Sequence, residues 1–381
     1  MLQEVYITKS AKFLPNEPIL NDGMEAYVGL IHQQPSKSKR IVLRNNGIRS
    51  RFYAMNQDGH PTHSNSEMAA LAVRNLFEGN SNELETIDLL SCGTSTPDQL
   101  IPSHGVMVHG WLPEAGAIEV VSPSGVCCSG MHALKYAWMA VKLGEVNRAV
   151  ATGSERVSRI IRSDVFEEEA NKLAEAEDNP YITFDKDFLR WMLSDGAGAL
   201  LLDNKKNDTG ISLKIEFLEG VSYAHLIAPC MYSASEKMED GSLKSFMDYS
   251  YAEIGEKSIL SIKQDVKLLS QNIVSFGVDK MQTLFEKYNF SIDSIDYFLP
   301  HISSEFFRSK MAEKFDQAGL HIPQEKWFTN LSTVGNIGSG SIFLIIEELF
   351  NSGKLLKGQK IFVAVPESAR FSYMFGLFTV C

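Results

Sequence analysis

The sequence predicts an α/β fold made of two homologous halves. The 381 residues exceed one small module, at roughly 100–200 residues per domain. Short β-branched runs alternate with helical stretches of period near 3.6, the pattern of an α/β chain. An internal repeat then runs at constant offset. Leu76-Phe77-Glu78 recurs as Leu284-Phe285-Glu286, Ile87-Asp88 as Ile295-Asp296, Val126 as Val334 and Gly130 as Gly338, each pair 208 residues apart. One such match is chance; a series in the same helix–strand–loop–helix context argues duplication. The predicted halves are 1–205 and 206–381, related by a pseudo-twofold axis.

The elements follow in order. Ala117-Ile118-Glu119-Val120-Val121 reads as a strand. His132 to Leu143 reads as a helix whose Leu134, Ala137, Trp138 and Val141 form a buried stripe. Arg148-Ala149-Val150-Ala151 is the next strand. Residues 156–190 fit neither half. Glu167-Glu168-Glu169, Glu175, Glu177 and Asp178 precede Asn179-Pro180 there, which reads as an inserted helix and loop: a solvated acidic face, or a lid or dimer cap over the active site. The polar run from Asp203 to Thr209 marks the joint. In the second half a strand ends at Leu299-Pro300, a helix spans Ser341 to Phe350, and Lys360 to Val365 reads as a buried strand.

Composition narrows the function classes. Lysine plus arginine is 36 against 47 for aspartate plus glutamate, a net charge of −11. That balance excludes a general binder of nucleic acid or anionic membrane. Apolar runs such as Ile342 to Ile346 fall far short of the ~20 residues that cross a bilayer. The start of the chain lacks a basic stretch leading into an apolar core. Five cysteines, Cys92, Cys127, Cys128, Cys230 and Cys381, give an odd count without CxxC spacing. A disulfide scaffold and a structural zinc site are therefore not expected, and a reducing cytoplasm is.

Three segments carry chemistry. Ser124-Gly125-Val126-Cys127-Cys128-Ser129-Gly130 runs straight into a helix, and a thiol at a helix start gains thiolate character from the dipole. The segment alone fits a reactive thiol and an inert buried pair equally. His301 directly follows the strand ending at Pro300, where open α/β sheets build their sites. Val334-Gly335-Asn336-Ile337-Gly338-Ser339-Gly340-Ser341 is a second glycine-rich loop feeding a helix. It lacks GxGxxG spacing, so a dinucleotide loop is not indicated. The repeat links all three. Cys128 and Asn336 lie 208 residues apart, as do Gly93 and His301. Symmetric halves facing each other thus bring a cysteine, a histidine and an asparagine together.

With these residues in hand, the chain resembles the thiolase-fold ketoacyl-acyl-carrier-protein synthase III family. The resemblance spans Phe13-Leu14-Pro15, Gly47-Ile48-Arg49-Ser50-Arg51, Cys128-Ser129-Gly130, Gly153-Ser154-Glu155, Asp195 to Ala199, Pro300-His301 and Gly335-Asn336. It implies a five-layered αβαβα architecture and a catalytic triad of Cys128, His301 and Asn336. The family's glycine two residues after the nucleophile selects Cys128 over Cys127, and the repeat offset selects it as well. Three departures stand out. Ile302-Ser303-Ser304 replaces Gln-Ala-Asn after the Pro-His pair. Ser38 to Asn46 lacks the tryptophan that stacks on coenzyme A, which favours carrier-protein substrates. Ser368-Ala369-Arg370-Phe371-Ser372 replaces the glycine triplet that supplies one oxyanion-hole amide. These departures resemble the secondary-metabolite branch, such as dialkylresorcinol or flexirubin ketosynthases.

The resemblance implies acyl transfer to Cys128, then Claisen-type condensation with a malonyl- or β-ketoacyl-carrier protein. No metal and no cofactor beyond the carrier's phosphopantetheine or coenzyme A is expected. Arg44, Arg49, Glu155 and Arg370 are further candidates for substrate contacts. The basic clusters Lys39-Arg40-Arg44-Arg49-Arg51 and Arg156-Arg159-Arg162 are candidate docking patches for an acidic acyl carrier protein, the second at helical spacing. A homodimer is expected by resemblance. The alternatives are an acyltransferase moving the acyl group from Cys128 to an alcohol or amine, and a silent ketosynthase partner subunit. A degradative thiolase is disfavoured, because Cys381 lacks a glycine-rich loop.

Overall fold

The computed structural model describes residues 2–36, 38–165 and 189–381. Of the predicted insert over 156–190, residues 166–188 lie outside the described residues. The described part of its start is not a long helix: Ser158–Ile161 and Ser163–Val165 are short 3-10 turns.

Nine strands form the main sheet. They are β1 (Tyr6–Phe13), β2 (Leu89–Gly93), β3 (Glu119–Val121), β4 (Arg148–Glu155), β5 (Gly196–Asp203), β6 (Leu213–Ser222), β7 (Tyr297–Pro300), β8 (Lys360–Glu367) and β9 (Ser372–Val380). Five helices of at least ten residues accompany them among the described residues: α1 (Asn65–Asn75), α2 (Cys127–Leu143), α3 (Ser275–Lys287), α4 (Phe306–Gln317) and α5 (Ser341–Phe350). The sheet order is β7-β8-β9-β6-β1-β5-β4-β2-β3. The first five strands alone run β3-β2-β4-β5-β1. Numbered from their own start, the last four run in the same order with the third place vacant, and there Trp327 makes an isolated parallel bridge to Phe298 of β7. The strands therefore repeat one topology, and within the sheet the halves pair at two residue pairs, Tyr6 with Lys214 and Ile7 with Leu213. The expected boundary at 205/206 falls in the connection between β5 and β6.

The repeated sequence motifs do repeated structural work. The N–H of Arg148 at the start of β4 donates to Asp88 Oδ2 at 3.0 Å. The N–H of Lys360 at the start of β8 donates to Asp296 Oδ2 at 2.7 Å. Ile87 and Ile295, one residue earlier, are both buried. Each Ile-Asp pair thus anchors the entry of one strand while pinning the neighbouring one.

Alternation along the strands sorts side chains between layers. Ala149 and Ala151 of β4, and Ile361, Val363 and Val365 of β8, share one core with α2 and α5. Val150 of β4 turns to a second core with α1. Phe362 and Ala364 of β8 turn to a third core with α3 and α4. The order is helices, sheet, central helices, sheet, helices: the expected five layers. α5 confirms its central place by being buried from Ser341 through Glu347. Its segment Ile342–Ile346 is apolar on every side, and such a helix segment belongs inside a protein. α2 begins at Cys127, earlier than its stripe alone indicated, and ends on Gly144, whose φ of 81° places it in the left-handed region that favours glycine.

Candidate active site

Four strand ends converge at one place: Gly93 of β2, Glu155 of β4, Pro300 of β7 and Glu367 of β8. The starts of α2 and α5 meet them there. The fit is close because the contact residues lack side chains. A Cβ on Gly130 of α2 would lie 2.4 Å from the carbonyl oxygen of Ser339, and one on Gly153 of β4 would lie 2.3 Å from the same atom. This is the specific reason for glycine at both positions.

A cavity opens beside this junction. Val126, Cys127, Glu155, His301, Asn336 and Gly338 line it, together with apolar side chains of the outer helices, among them Val278 and Met281 of α3 and Phe307, Met311 and Phe315 of α4. Its wall is predominantly apolar, as suits a hydrocarbon chain.

His301 is buried, and its backbone N–H donates to Ala364 O at 2.9 Å, tying it to β8. Its Nε2 is buried without a hydrogen-bond partner. Burial alone pushes its pKa down to about 4, so the ring is neutral near pH 7. Asn336 is held on both sides of its peptide: its N–H donates to Met192 O at 3.0 Å, and its carbonyl accepts from Ser194 N at 2.9 Å. Its side-chain Oδ1 accepts from Gly338 N at 3.0 Å, which leaves Nδ2 as the end available for a ligand.

The two cysteines divide differently from the sequence expectation. Cys127 lines the cavity and is 8% exposed. Cys128 is 1% exposed and does not line it; its thiol donates to Val365 O at 3.3 Å, toward the central core. Nor is either thiol acidified. Burial pushes both well above the ordinary thiol value, and the nearby Glu367 carboxylate pushes them further in the same direction. Desolvation here outweighs the helix-start effect expected from sequence.

Glu155 is fully buried beside the cavity. It accepts from Ser95 N at 3.1 Å, Ser95 Oγ at 2.7 Å, Thr96 Oγ1 at 2.7 Å and Ser339 N at 3.2 Å. Burial raises its pKa against these bonds. Its observed role is to tie the ends of β2 and β4 to the start of α5. Arg44, Arg49 and Arg370, expected to contact substrate, do not line the cavity: all three are exposed, and Arg370 Nε donates to Ile227 O at 3.2 Å. Their charge is solvated because their elements turn that face outward. Arg51 is buried instead, its Nη1 donating to Asn21 Oδ1 at 2.9 Å. Arg156, Arg159 and Arg162 do not form a helical stripe. Arg159 pairs with Asp164 at 2.8 Å, Arg156 with Asp98 at 3.6 Å, and Arg162 donates to Tyr27 O at 2.9 Å.

Sequence reasoning missed Glu367. Its carboxylate Oε2 accepts the N–H of Val126 and that of Cys128, each at 2.9 Å. A signal was present: a charged residue closing the apolar run of β8, at a strand's C-terminal end.

Comparison with known proteins agrees with this architecture. Residues 119–208 match the profile of the beta-ketoacyl synthase N-terminal domain, and residues 285–365 that of the 3-oxoacyl-[acyl-carrier-protein] synthase III C-terminal domain. The beta-ketoacyl-[acyl-carrier-protein] synthase III of Chlorobaculum tepidum is 22% identical over 355 residues, 93% of each chain. That of Lactococcus lactis is 25% identical over 357 residues, 91% of this chain and 90% of the relative. Among solved structures, the tetronic acid condensing enzyme AbyA1 superposes with TM-score 0.74 at 18% identity, covering 98% of this chain and 99% of the other. Xanthomonas campestris OleA with bound lauric acid and lauroyl-CoA gives 0.73 at 17% identity over the whole of both chains. By its duplicated topology, the two family profiles and relatives matched end to end, the chain has the fold of the ketoacyl-acyl-carrier-protein synthase III enzymes and is similar to them in sequence along nearly its whole length.

Proposed function

We propose that this protein is a condensing enzyme that accepts an acyl group on Cys128 and joins it to a malonyl- or β-ketoacyl-carrier protein. The observation that carries this reading is the convergence of the α2 start, the unpartnered Nε2 of His301 and the amide of Asn336 beside one apolar cavity. The names of the curated relatives, beta-ketoacyl-[acyl-carrier-protein] synthase III, support the carrier protein as partner.

The chemistry follows in two steps. Sulfur of Cys128 attacks the acyl thioester; the new S–C bond forms, the carrier's C–S bond breaks, and the thiol proton ends on the departing thiol. The N–H of Cys128 stabilises the oxyanion. In the second step His301 and Asn336 each donate a hydrogen bond to the thioester carbonyl of the incoming unit. Loss of carbon dioxide from a malonyl group, or of a proton from a β-ketoacyl group, leaves an enolate there. Its carbon attacks acyl-Cys128, and the cysteine sulfur leaves as a thiolate, which takes up the equivalent of the proton lost by a β-ketoacyl unit or, after decarboxylation, a proton from solvent. Neutral donors in a site shielded from water are strong enough for this work. A neutral His301 fits the role, since it offers a donor without a competing charge.

A second reading has one observation in its favour: Cys127, not Cys128, lines the cavity. The glycine spacing and the 208-residue offset favour Cys128. Intact-protein and peptide mass spectrometry after incubation with an acyl-carrier protein decides between them. Acyl label on Cys128, followed by carbon dioxide release and a longer chain on adding malonyl-carrier protein, is the expected result. Label on Cys127 alone would transfer the nucleophile role, and loading without condensation would make the protein a simple acyltransferase. His301→Gln should slow condensation at least 100-fold, the scale of one lost oxyanion donor, while leaving loading nearly intact.

We also propose a homodimer. β3 is an edge strand with one side unpaired. Beside it, exposed Leu100, Ile101, Val106 and Trp111 present apolar surface.

A further inference from the structure

The start of α2 is already occupied by a carboxylate. A helix leaves its first N–H groups unpaired, and the N-cap Val126 provides no side-chain cap. Glu367 supplies one from the other half of the chain, 239 residues from Cys128, through its two 2.9 Å bonds to Val126 N and Cys128 N.

The pseudo-twofold symmetry makes this informative. β4 and β8 hold corresponding places in the two halves, are eight residues long, and both end in glutamate. Glu155 closes β4 and accepts the Ser339 N–H at the start of the second central helix. Glu367 closes β8 and accepts the Cys128 N–H at the start of the first. The mates differ in how firmly they are held. Glu155 has hydroxyl donors from Ser95 and Thr96 besides its backbone bonds and is fully buried. Glu367 has the two backbone amides, no hydroxyl donor and no ion pair among the described residues, and it is 8% exposed. One glutamate is locked; the other can rotate away. Its backbone stays put meanwhile, because the following turn is anchored by Ala369 O, which accepts from Cys230 N at 2.8 Å and Met231 N at 3.2 Å.

We propose that Glu367 is a displaceable occupant of the oxyanion position: in the resting enzyme its carboxylate takes the Cys128 N–H, and an incoming acyl carbonyl must replace it before Cys128 is acylated. The proposal rests on the condensing reading above and goes beyond it by assigning a residue that governs access to the nucleophile. One N–H cannot serve carboxylate and oxyanion at full strength. The negative charge also opposes thiolate formation at both cysteines, second only to burial as a cause. The other titratable groups acting there are Glu155 on Cys127, Cys127 on Cys128, Tyr373 beside Cys128, and His132 facing Glu367.

Glu367→Gln tests this, because a glutamine oxygen can keep both amide bonds while losing the charge. The full-length protein is alkylated with iodoacetamide across pH, with Cys128→Ser identifying the label, and acylated in parallel with octanoyl-N-acetylcysteamine. The expected result is an alkylation midpoint about one pH unit lower, hence about tenfold more thiolate at a given pH below it, with faster acylation. An unchanged midpoint and unchanged acylation would reduce Glu367 to a helix cap and overturn the proposal. Slower acylation would overturn it too, by making Glu367 a base. Glu367→Ala, checked by thermal melting for folding, should also acylate faster than the parent. A shifted midpoint without acylation of any form would uphold the hold of Glu367 on the thiols and sink the condensing reading instead.

Discussion

At the scale of single residues, His301 shows how burial sets function. Its ordinary histidine pKa near 6.5 falls to about 4 through desolvation alone. The ring is therefore neutral from pH 5 upward, and condensation should show no histidine inflection near pH 6.5 in its single-turnover rate. The same shift acts on stability. The unfolded chain binds a proton at His301 as pH falls below 6.5, whereas the folded chain resists until about 4. Stability attached to this group is thus fully present above pH 6.5 and lost as pH falls toward 4, on the order of 3 kcal/mol. His104, also buried and lowered to about 4, adds in the same direction. Urea midpoints measured between pH 7 and pH 4.5 should fall with acid, and His301→Gln should flatten part of that slope. This residue was legible in the sequence because its signal is local, a histidine directly after an apolar strand. The Glu367 contact was not, because it joins residues 239 apart and depends on two strands ending together.

At the scale of elements, the repeat explains what could be read in advance. Ile87-Asp88 and Ile295-Asp296 recur in sequence because each must bury an isoleucine and cap a neighbouring strand. The helix Ser341–Phe350 is legible from end to end, since its apolar run Ile342–Ile346 follows a glycine-rich loop and its last apolar pair, Leu349-Phe350, precedes polar Asn351 and Ser352. The start of α2 at Cys127 is not legible from periodicity, because its first turn is buried on all sides and shows no stripe. Arg156, Arg159 and Arg162 share no helix face, because Ser158–Ile161 and Ser163–Val165 are short 3-10 turns and the arginines pair locally, Arg156 with Asp98 and Arg159 with Asp164. The junction of α2 with α5 gives a sharp prediction. In an exposed helix Gly→Ala stabilises by about 1 kcal/mol. Gly130→Ala should do the reverse, since the added methyl would lie 2.4 Å from a backbone carbonyl and 2.9 Å from the Phe343 ring. We expect a loss of about 2–3 kcal/mol, the range of core overpacking, read as a lower urea midpoint with unchanged slope.

At the scale of the whole molecule, two copies of one topology turn their central helices toward each other, and the site exists only where they touch. Neither half holds it alone: the cysteines come from the first, the histidine and asparagine from the second, and each central helix start is capped by a glutamate of the opposite half. The same architecture leaves β3 at one end of the sheet with unpaired backbone groups, which natural proteins cover or pair. The short helix His104–Gly110 packs beside that edge, its Gly105 N–H donating to Ser122 Oγ at 2.7 Å. Around it Ile101 is 85% and Leu100 71% exposed, with Trp111 46%. Apolar side chains this exposed beside an open edge are the surface on which the proposed homodimer would form. Leu100→Glu combined with Ile101→Glu places like charges on it at its two most exposed side chains. The variant should melt within about 1 kcal/mol of the parent, as surface changes do. Light scattering on a sizing column should then find a monomer where the parent is a dimer. A parent that elutes as a monomer, or a variant that stays dimeric, would locate no association at this edge.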